Sequence, residues 1–188
     1  MINELHSSWS QFNKAVCALK FFYTVTCQRD WVVKQIPYGQ RPKTLPVVLC
    51  GDEVARIIAC VTNIKHRTVL LTLYSAGPRI SEGLNLKVQD IDSQRMTLKI
   101  NQAKGQKDRY VPISPRLLAE LRLYWKDQRP SVYFFPGKTD DTPLNKAVVQ
   151  KACTLATAQA RINKHVTPHT MRHSYATAAL GRNSPVGP

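Results

Sequence analysis

A segment near the carboxyl end of the sequence combines residue types that bind anions and transfer protons. Thr167 suits a helix cap, and Pro168 suits the first helical position, where the missing proline N–H costs nothing. His169 and Arg172 are three residues apart, which places them on one face of such a helix. Backbone N–H groups and the helix dipole favour an anion there, and a guanidinium pairs with two of its oxygens. The spacing predicts an anion site, with a surface helix whose His and Arg face water as the alternative.

The elements that would position these side chains are mostly helices. Apolar residues recur at steps of three and four in several segments, which predicts amphipathic helices at 8–26, 66–76, 115–127 and 145–160. In the last helix the predicted inward residues are Val148, Val149, Ala152 and Leu155. Two alternating runs, 96–100 and 109–113, flank a polar turn and predict antiparallel strands. The predicted fold class is therefore mainly α with a small antiparallel β-sheet (α+β).

A proline-rich basic segment, 37–46, interrupts these periodicities and predicts an extended linker. Before it, one predicted helix cannot bury its apolar stripe alone. Either this helix packs on the later domain, or 1–36 is the remnant of a helical domain, which is the interpretation we adopt. After it, 47–188 is long enough to form one hydrophobic core. The sequence therefore predicts two domains of unequal size.

The charge of the chain indicates a polyanionic partner. The 188 residues include 27 Lys and Arg against 12 Asp and Glu, a formal net charge of +15. The excess is uneven, because no acidic residue follows Asp141. Nucleic acid is the simplest partner for such a distribution, although solubility or contact with a membrane surface would also favour basic residues.

Cysteine usage and hydropathy indicate a cytoplasmic protein. The five cysteines are an odd number without a C-x-x-C pair, which argues against a zinc ribbon or a disulfide framework. No apolar run approaches the roughly 20 residues that span a bilayer, and no signal-peptide pattern follows Met1. We therefore expect a soluble protein in the cytoplasm, without a membrane partner.

Three cationic segments follow one another along the chain: Gly77-Pro78-Arg79-Ile80-Ser81-Glu82, Ala103-Lys104-Gly105-Gln106-Lys107-Asp108-Arg109 and Pro168-His169-Thr170-Met171-Arg172-His173. In this order they closely resemble the tyrosine recombinases, the phage integrase family. Each motif alone is weak, but the ordered set, with a helix–hairpin–helix context, is specific, and the resemblance covers nearly the whole chain. It implies the catalytic-domain fold of the DNA breaking-rejoining enzymes and a helical, SAM-like core-binding domain before it.

The resemblance implies a role for four side chains at a DNA phosphodiester. Arg79 and Arg172 would hold the non-bridging oxygens, and such preorganised donors often supply the largest rate term. His169 would hydrogen-bond the phosphate and assist proton transfer. Lys104 would protonate the departing 5′ oxygen as a general acid, with Lys107 as a competing candidate. The family's attacking group is a tyrosine that forms a 3′-phosphotyrosine, so the reaction requires no cofactor and no metal.

Two neighbours are interpreted as supporting residues. By resemblance, Glu82 buttresses Arg79, although the same spacing also suits an ordinary surface ion pair. His173 is four residues after His169, and two such histidines can in principle hold a metal. Thr170 stands where a zinc-protease helix has glutamate, and no third ligand is evident, so no metal site is predicted.

The sequence departs from the family pattern at two places. Pro78 stands where the family usually has Leu or Met, a change that is harmless if Arg79 begins a helix. No match to the family's later His or Trp and its nucleophilic Tyr follows His173, and Tyr175 holds the place of a packing aromatic. We therefore expect a recombinase catalytic domain, 47–188, truncated before the nucleophile and incomplete in its fold.

The expected function is that of a site-specific DNA recombinase or integrase, here an inactive fragment that still binds double-stranded DNA. The alternative is a non-catalytic DNA-binding module that occupies a recombination site, and a third hypothesis is a metal-dependent nuclease. Family members work as homo-oligomers on DNA, but their contacts often use the C-terminal segment that this chain would lack.

Overall fold

The computed structural model describes residues 9–39, 47–101 and 108–182, with the side chains of 30, 176 and 178–182 excepted. The chain divides into two compact units, Met1–Leu45 and Pro46–Pro188. The first unit contains helices α1 (Trp9–Phe21) and α2 (Asp30–Gln35), with a short π-helical segment continuing α1. Most of the predicted linker, residues 40–46, lies outside the described residues.

Within its described residues, the second unit contains six α-helices and a small sheet. Its helices are α3 (Gly51–Ala59), α4 (Ile64–Ala76), α5 (Ile80–Leu84), α6 (Pro115–Gln128), α7 (Lys146–Gln159) and α8 (Pro168–Arg182). Its strands are β1 (Ile91–Asp92), β2 (Thr97–Ile100) and β3 (Arg109–Pro112). The strands form one antiparallel sheet in the order β1-β2-β3, in which Leu98 pairs with Val111. The predicted class, mainly α with a small antiparallel sheet, is confirmed.

One hydrophobic core lies among these elements. α4 contributes a broad buried face because it packs against α3, α6, α7 and α8. Helices α4 and α6 bury large apolar side chains at the positions that their spacing predicts. The segment after α6 adds the rings of Phe134 and Phe135. The fully buried large side chains include Ile57, Leu70, Leu73, Leu117, Leu121, Tyr124, Phe135 and Met171.

Three elements differ from the sequence prediction. In helix α7 the predicted inward residue Val149 is buried, but Val148 and Leu155 are 40% and 54% exposed while Cys153 is buried. The small residues Cys153 and Ala156 belong to the buried face, so the larger apolar side chains indicated part of the wrong face. Strand β1 and helix α2 are only 2 and 6 residues long, too short for a periodic signal.

Helix α8 begins at Pro168, as predicted, and is fixed at its start and along its length. Thr167 caps it: its Oγ1 accepts from the Thr170 backbone N–H at 3.2 Å. One turn further on, the buried Ser174 hydroxyl accepts from the Leu49 backbone N–H at 2.9 Å. This bond ties the segment before α3 to α8 within the second unit.

Gly77 ends α4 and lets α8 approach it closely. Its backbone is left-handed (φ 63°, ψ 30°), a conformation that favours glycine. A Cβ built on Gly77 would lie 2.6 Å from Cδ1 of Tyr175, so the ring of Tyr175 occupies the space that a side chain would need. The end of α4 is thus set against the residues that follow Arg172 on α8. No described helix is both long and apolar enough to cross a membrane.

Candidate functional site

The first arginine of the site stands at the start of α5. Arg79 is the N-cap of this helix, with an extended backbone (φ −66°, ψ 152°), so Pro78 precedes the helix and interrupts none of its hydrogen bonds. The backbone N–H of Arg79 donates to Glu82 Oε2 at 2.8 Å, and its Nη1 donates to Glu82 Oε1 at 2.7 Å. This departure from the family pattern therefore leaves Arg79 positioned at a helix start.

Glu82 is the centre of a cluster of three arginines. Its side chain is only 7% exposed, whereas the side chains of Arg79, Arg109 and Arg172 remain 41%, 36% and 28% exposed. Arg109 Nη2 donates to Glu82 Oε2 at 2.7 Å, and Arg172 Nη1 lies 3.8 Å from the same oxygen. One carboxylate therefore hydrogen-bonds the guanidinium groups from α5 and β3 and lies close to the one from α8, and the cluster keeps a net positive charge.

The same contacts keep Glu82 ionised. Burial is the largest single influence and favours the neutral acid. Donation by the Arg79 backbone and side chain, together with the charges of Arg109 and Arg79, outweighs burial and lowers the pKa of Glu82 below its ordinary value. A permanent negative charge is thus available to orient the arginines.

The second predicted arginine reaches the cluster from α8. Arg172 Nη1 donates to the backbone carbonyl of Gly77, the residue that ends α4. Partial burial and the neighbouring Arg79 lower the pKa of Arg172, while Glu82 opposes this shift. A guanidinium remains charged near pH 7 despite such a shift, so Arg172 stays a cation.

Helix α8 also carries two histidines, His169 and His173, on either side of Arg172 in the sequence. His169 Nε2 and His173 Nε2 are 2.9 Å apart, a hydrogen bond in which one ring donates and the other accepts, and the rings meet edge to face. Loss of hydration, then the charges of His173, Arg172 and Arg79, lower the pKa of His169. His169 is therefore neutral near pH 7 and suited to hydrogen bonding and proton transfer.

The metal alternative receives no support from this geometry. Two Nε2 atoms that share a hydrogen bond point at each other, whereas metal ligands direct their lone pairs at the ion. Within residues 9–39, 47–101 and 108–182, no group of three His, Cys, Asp or Glu side chains is arranged to hold a metal ion.

The structure brings together Arg79, Glu82, His169, Arg172 and His173, five of the residues singled out in the sequence. Lys104 and its competitor Lys107 lie in 102–107, outside the described residues.

Arg109 was missed as a site residue. Its only signal was its place in the second cationic segment, directly at the start of a predicted strand. The assembled groups can bind a tetrahedral anion through two guanidinium groups and a neutral imidazole.

Several known proteins are related to this chain in sequence. The model of the phage integrase family matches residues 48–186. A putative integrase/recombinase, y4qK, of Sinorhizobium fredii is 44% identical over 96% of this chain and 59% of its own length. Tyrosine recombinase XerA of Pyrococcus horikoshii is 37% identical over 90% of this chain and 60% of its own length. The chain thus spans about three fifths of these two relatives.

Solved structures show the same fold at lower sequence identity. A crystal structure of XerA recombinase matches with a TM-score of 0.68 at 21% identity, covering 98% of this chain and 75% of that one. The Tn1549 transposon integrase, in complex with circular intermediate DNA, matches with a TM-score of 0.72 at 16% identity, covering 98% and 71%. With the family model covering residues 48–186 and close relatives along nearly the whole sequence, this chain belongs to the phage integrase family of tyrosine recombinases.

Proposed function

We propose that the second unit binds one phosphodiester of double-stranded DNA through Arg79, Arg172 and His169, as the catalytic domain of a site-specific recombinase. The observation that carries this proposal is the convergence of guanidinium groups from α5 and α8 on Glu82, which leaves a surplus of positive charge at the surface. The net charge of +15 favours a DNA partner, as does the DNA bound to the transposon integrase of the same fold.

In the reaction proposed for a recombinase that contains this domain, a tyrosine hydroxyl attacks the phosphorus and passes its proton to His169. A 3′-phosphotyrosyl bond forms, and the 5′ oxygen is displaced. Arg79 and Arg172 stabilise the charge that develops on the non-bridging oxygens, which is where preorganised donors act most strongly. His169 hydrogen-bonds the phosphate, and Lys104 delivers a proton to the leaving oxygen. The reverse attack by a DNA hydroxyl rejoins the strands and frees the tyrosine.

We further propose that the 188-residue polypeptide binds DNA without cleaving it. The contacts of its tyrosines support this: among the described residues, no tyrosine hydroxyl hydrogen-bonds to Arg79, Glu82, His169 or Arg172. Tyr124 is fully buried, and the ring of Tyr175 packs against Gly77. Such a polypeptide would act as a DNA-binding module at a recombination site. From the resemblance to the family, we also propose that 1–36 is the remnant of a core-binding domain and that 37–46 is a linker.

Salt-dependent binding to a duplex oligonucleotide tests the proposed site. Each phosphate contact contributes a slope of roughly −0.9 to the plot of log affinity against log salt for B-DNA. The double variant Arg79→Gln/Arg172→Gln should therefore flatten the slope by about that amount. The control Arg95→Gln/Arg122→Gln removes the same charge from exposed positions and should change the slope less. Equal flattening by both double variants would contradict the assignment of a phosphate to this site.

Covalent trapping tests the absence of cleavage. After incubation with a nicked suicide duplex, denaturing electrophoresis of the 188-residue chain should reveal no protein–DNA adduct. A band containing phosphotyrosine would overturn the non-cleaving proposal and leave the DNA-binding site intact.

A further inference from the structure

Arg109 is the member of the cluster to which the family resemblance gives no role. It is the first residue of β3 and pairs with Ile100 across the sheet, so the hairpin fixes its backbone. Its side chain reaches Glu82, 27 residues earlier, with a donor–acceptor distance of 2.7 Å. A surface arginine would more often point into water, since holding a long side chain in one geometry costs entropy.

The acceptor sites of Glu82 show what this contact does. Oε1 accepts from Arg79 Nη1, while Oε2 accepts from the Arg79 backbone N–H at 2.8 Å and from Arg109 at 2.7 Å. A carboxylate oxygen has two lone pairs, so both sites on Oε2 are taken. Arg172 Nη1 remains 3.8 Å from Oε2, beyond hydrogen-bond distance, and donates to the Gly77 carbonyl instead.

We propose that Arg109 is a positioning residue that occupies Glu82 Oε2 and thereby keeps the guanidinium of Arg172 directed at the bound phosphodiester. This inference rests on the proposed function, because it assigns the phosphate to Arg172. Without Arg109, one lone pair on Oε2 becomes vacant, and Arg172 Nη1 has only about 1 Å to move before it hydrogen-bonds there. The carboxylate then competes with DNA for the same cation.

The decisive variants are Arg109→Met, which removes the donor and keeps the length, and Arg109→Lys, which keeps a donor and the charge. In fluorescence anisotropy with a duplex oligonucleotide, Arg109→Met should bind about tenfold more weakly than the wild type. Arg109→Lys should bind nearly as tightly as the wild type. Arg95→Gln, which removes one charge from an exposed i, i+3 pair, should weaken binding less than about threefold.

A second measurement separates positioning from simple loss of charge. In the Arg109→Met variant, the NMR signal of the Arg172 Nε–H should respond less to added duplex than in the wild type. In a Glu82→Gln background, the same Arg109 substitution should have little further effect, because the carboxylate through which it acts is gone. If Glu82→Gln does not fold, the response of the Arg172 Nε–H signal to duplex in Arg109→Met, compared with the wild type, still decides the question.

The outcomes distinguish this inference from the proposed function. If the Arg172 Nε–H signal of the wild type does not change on addition of DNA, the proposed function fails. If that signal changes but Arg109→Met and Arg95→Gln bind the duplex with equal affinity, the proposed function stands and the positioning role of Arg109 is wrong. Equal losses from Arg109→Met in the wild-type and Glu82→Gln backgrounds would also overturn it.

Discussion

At the scale of single residues, the site depends on one buried carboxylate that faces three cations. Glu82 accepts from the Arg79 backbone and side chain and from Arg109, with Arg172 next to it. Removing one partner from such a group leaves the others uncompensated, which costs more than the pair contributes when intact. The side chain of Glu82 is therefore expected to be the most sensitive single position of the cluster.

Replacing Glu82 by Gln should lower the free energy of unfolding by about 2 kcal/mol at neutral pH, since charged hydrogen bonds are lost. Because the folded-state pKa of Glu82 lies below its ordinary 4.5, its stabilisation is complete above that value and disappears as the pH falls through the folded-state pKa. Urea unfolding of the wild type and of Glu82→Gln at several pH values checks this. If the difference between their free energies of unfolding is the same at pH about 3 as at neutral pH, it does not come from the Glu82 charge.

His169 should titrate below its ordinary pKa of 6.5, because loss of hydration and the nearby His173, Arg172 and Arg79 all disfavour its cation. Its ring signals, followed by NMR against pH, give the midpoint. Arg172→Gln removes one of the charges and should raise that midpoint. A wild-type midpoint at or above 6.5, or no rise in the variant, would show that the arginines do not act on this imidazole.

At the scale of elements, the site forms where the end of α4, the start of α5 and the first turns of α8 meet. Gly77 makes this meeting geometrically feasible, since its left-handed backbone ends α4 and its missing side chain admits the Tyr175 ring. Its carbonyl also accepts from Arg172. The backbone at Gly77 is thus both a helix end and a contact of the site.

Gly77→Ala should destabilise the protein by more than about 1 kcal/mol, through strain at positive φ and a Cβ 2.6 Å from the Tyr175 ring. It should also weaken DNA binding, because α8 must shift and carry Arg172 with it. Gly51→Ala is the matched control, since a Cβ at Gly51 meets nothing within 4 Å. Thermal unfolding and anisotropy on both variants test the prediction, and equal behaviour of the two would refute it.

The hydrogen bond from the Leu49 N–H to the Ser174 hydroxyl leads to a separate prediction. Ser174→Ala leaves a buried backbone donor without its partner, which should cost about 1–3 kcal/mol of stability. Thr154→Ala is the comparison: its hydroxyl donates to the Gln150 carbonyl one helical turn earlier, but on an exposed face of α7. Denaturant unfolding should reveal a clear loss only for Ser174→Ala, and a similar loss in both would argue against a special role for the buried bond.

The elements also show how far sequence reasoning reached. Periodicity and a cap sufficed for the start and the buried residues of α6, and the cap and proline sufficed for the start of α8. In α7 the burial of Val149 is confirmed, but Val148 and Leu155 were wrongly predicted to be buried, because inward residues such as Cys153 and Ala156 are small.

In the cluster, Arg79 and Arg172 were proposed from the family motifs. The contact of Arg109 with Glu82 joins residues 27 apart on a strand and a helix, for which no local signal exists.

At the scale of the whole molecule, the net charge of +15 favours the DNA partner that we propose. General basicity alone would attract DNA to many surfaces, so affinity by itself does not identify a site. The central claim is narrower: one phosphodiester is held by Arg79 and Arg172 together.

The most direct test is an NMR titration of the arginine Nε–H signals with a short duplex oligonucleotide. Arg79→Lys and Arg172→Lys assign the two signals, and Arg95, with an 81% exposed side chain, serves as the internal reference for non-specific contact. The account predicts that the Arg79 and Arg172 signals shift together, with one common affinity, and more than that of Arg95. Signals of Arg79 and Arg172 that stay in place while other arginines respond would contradict it.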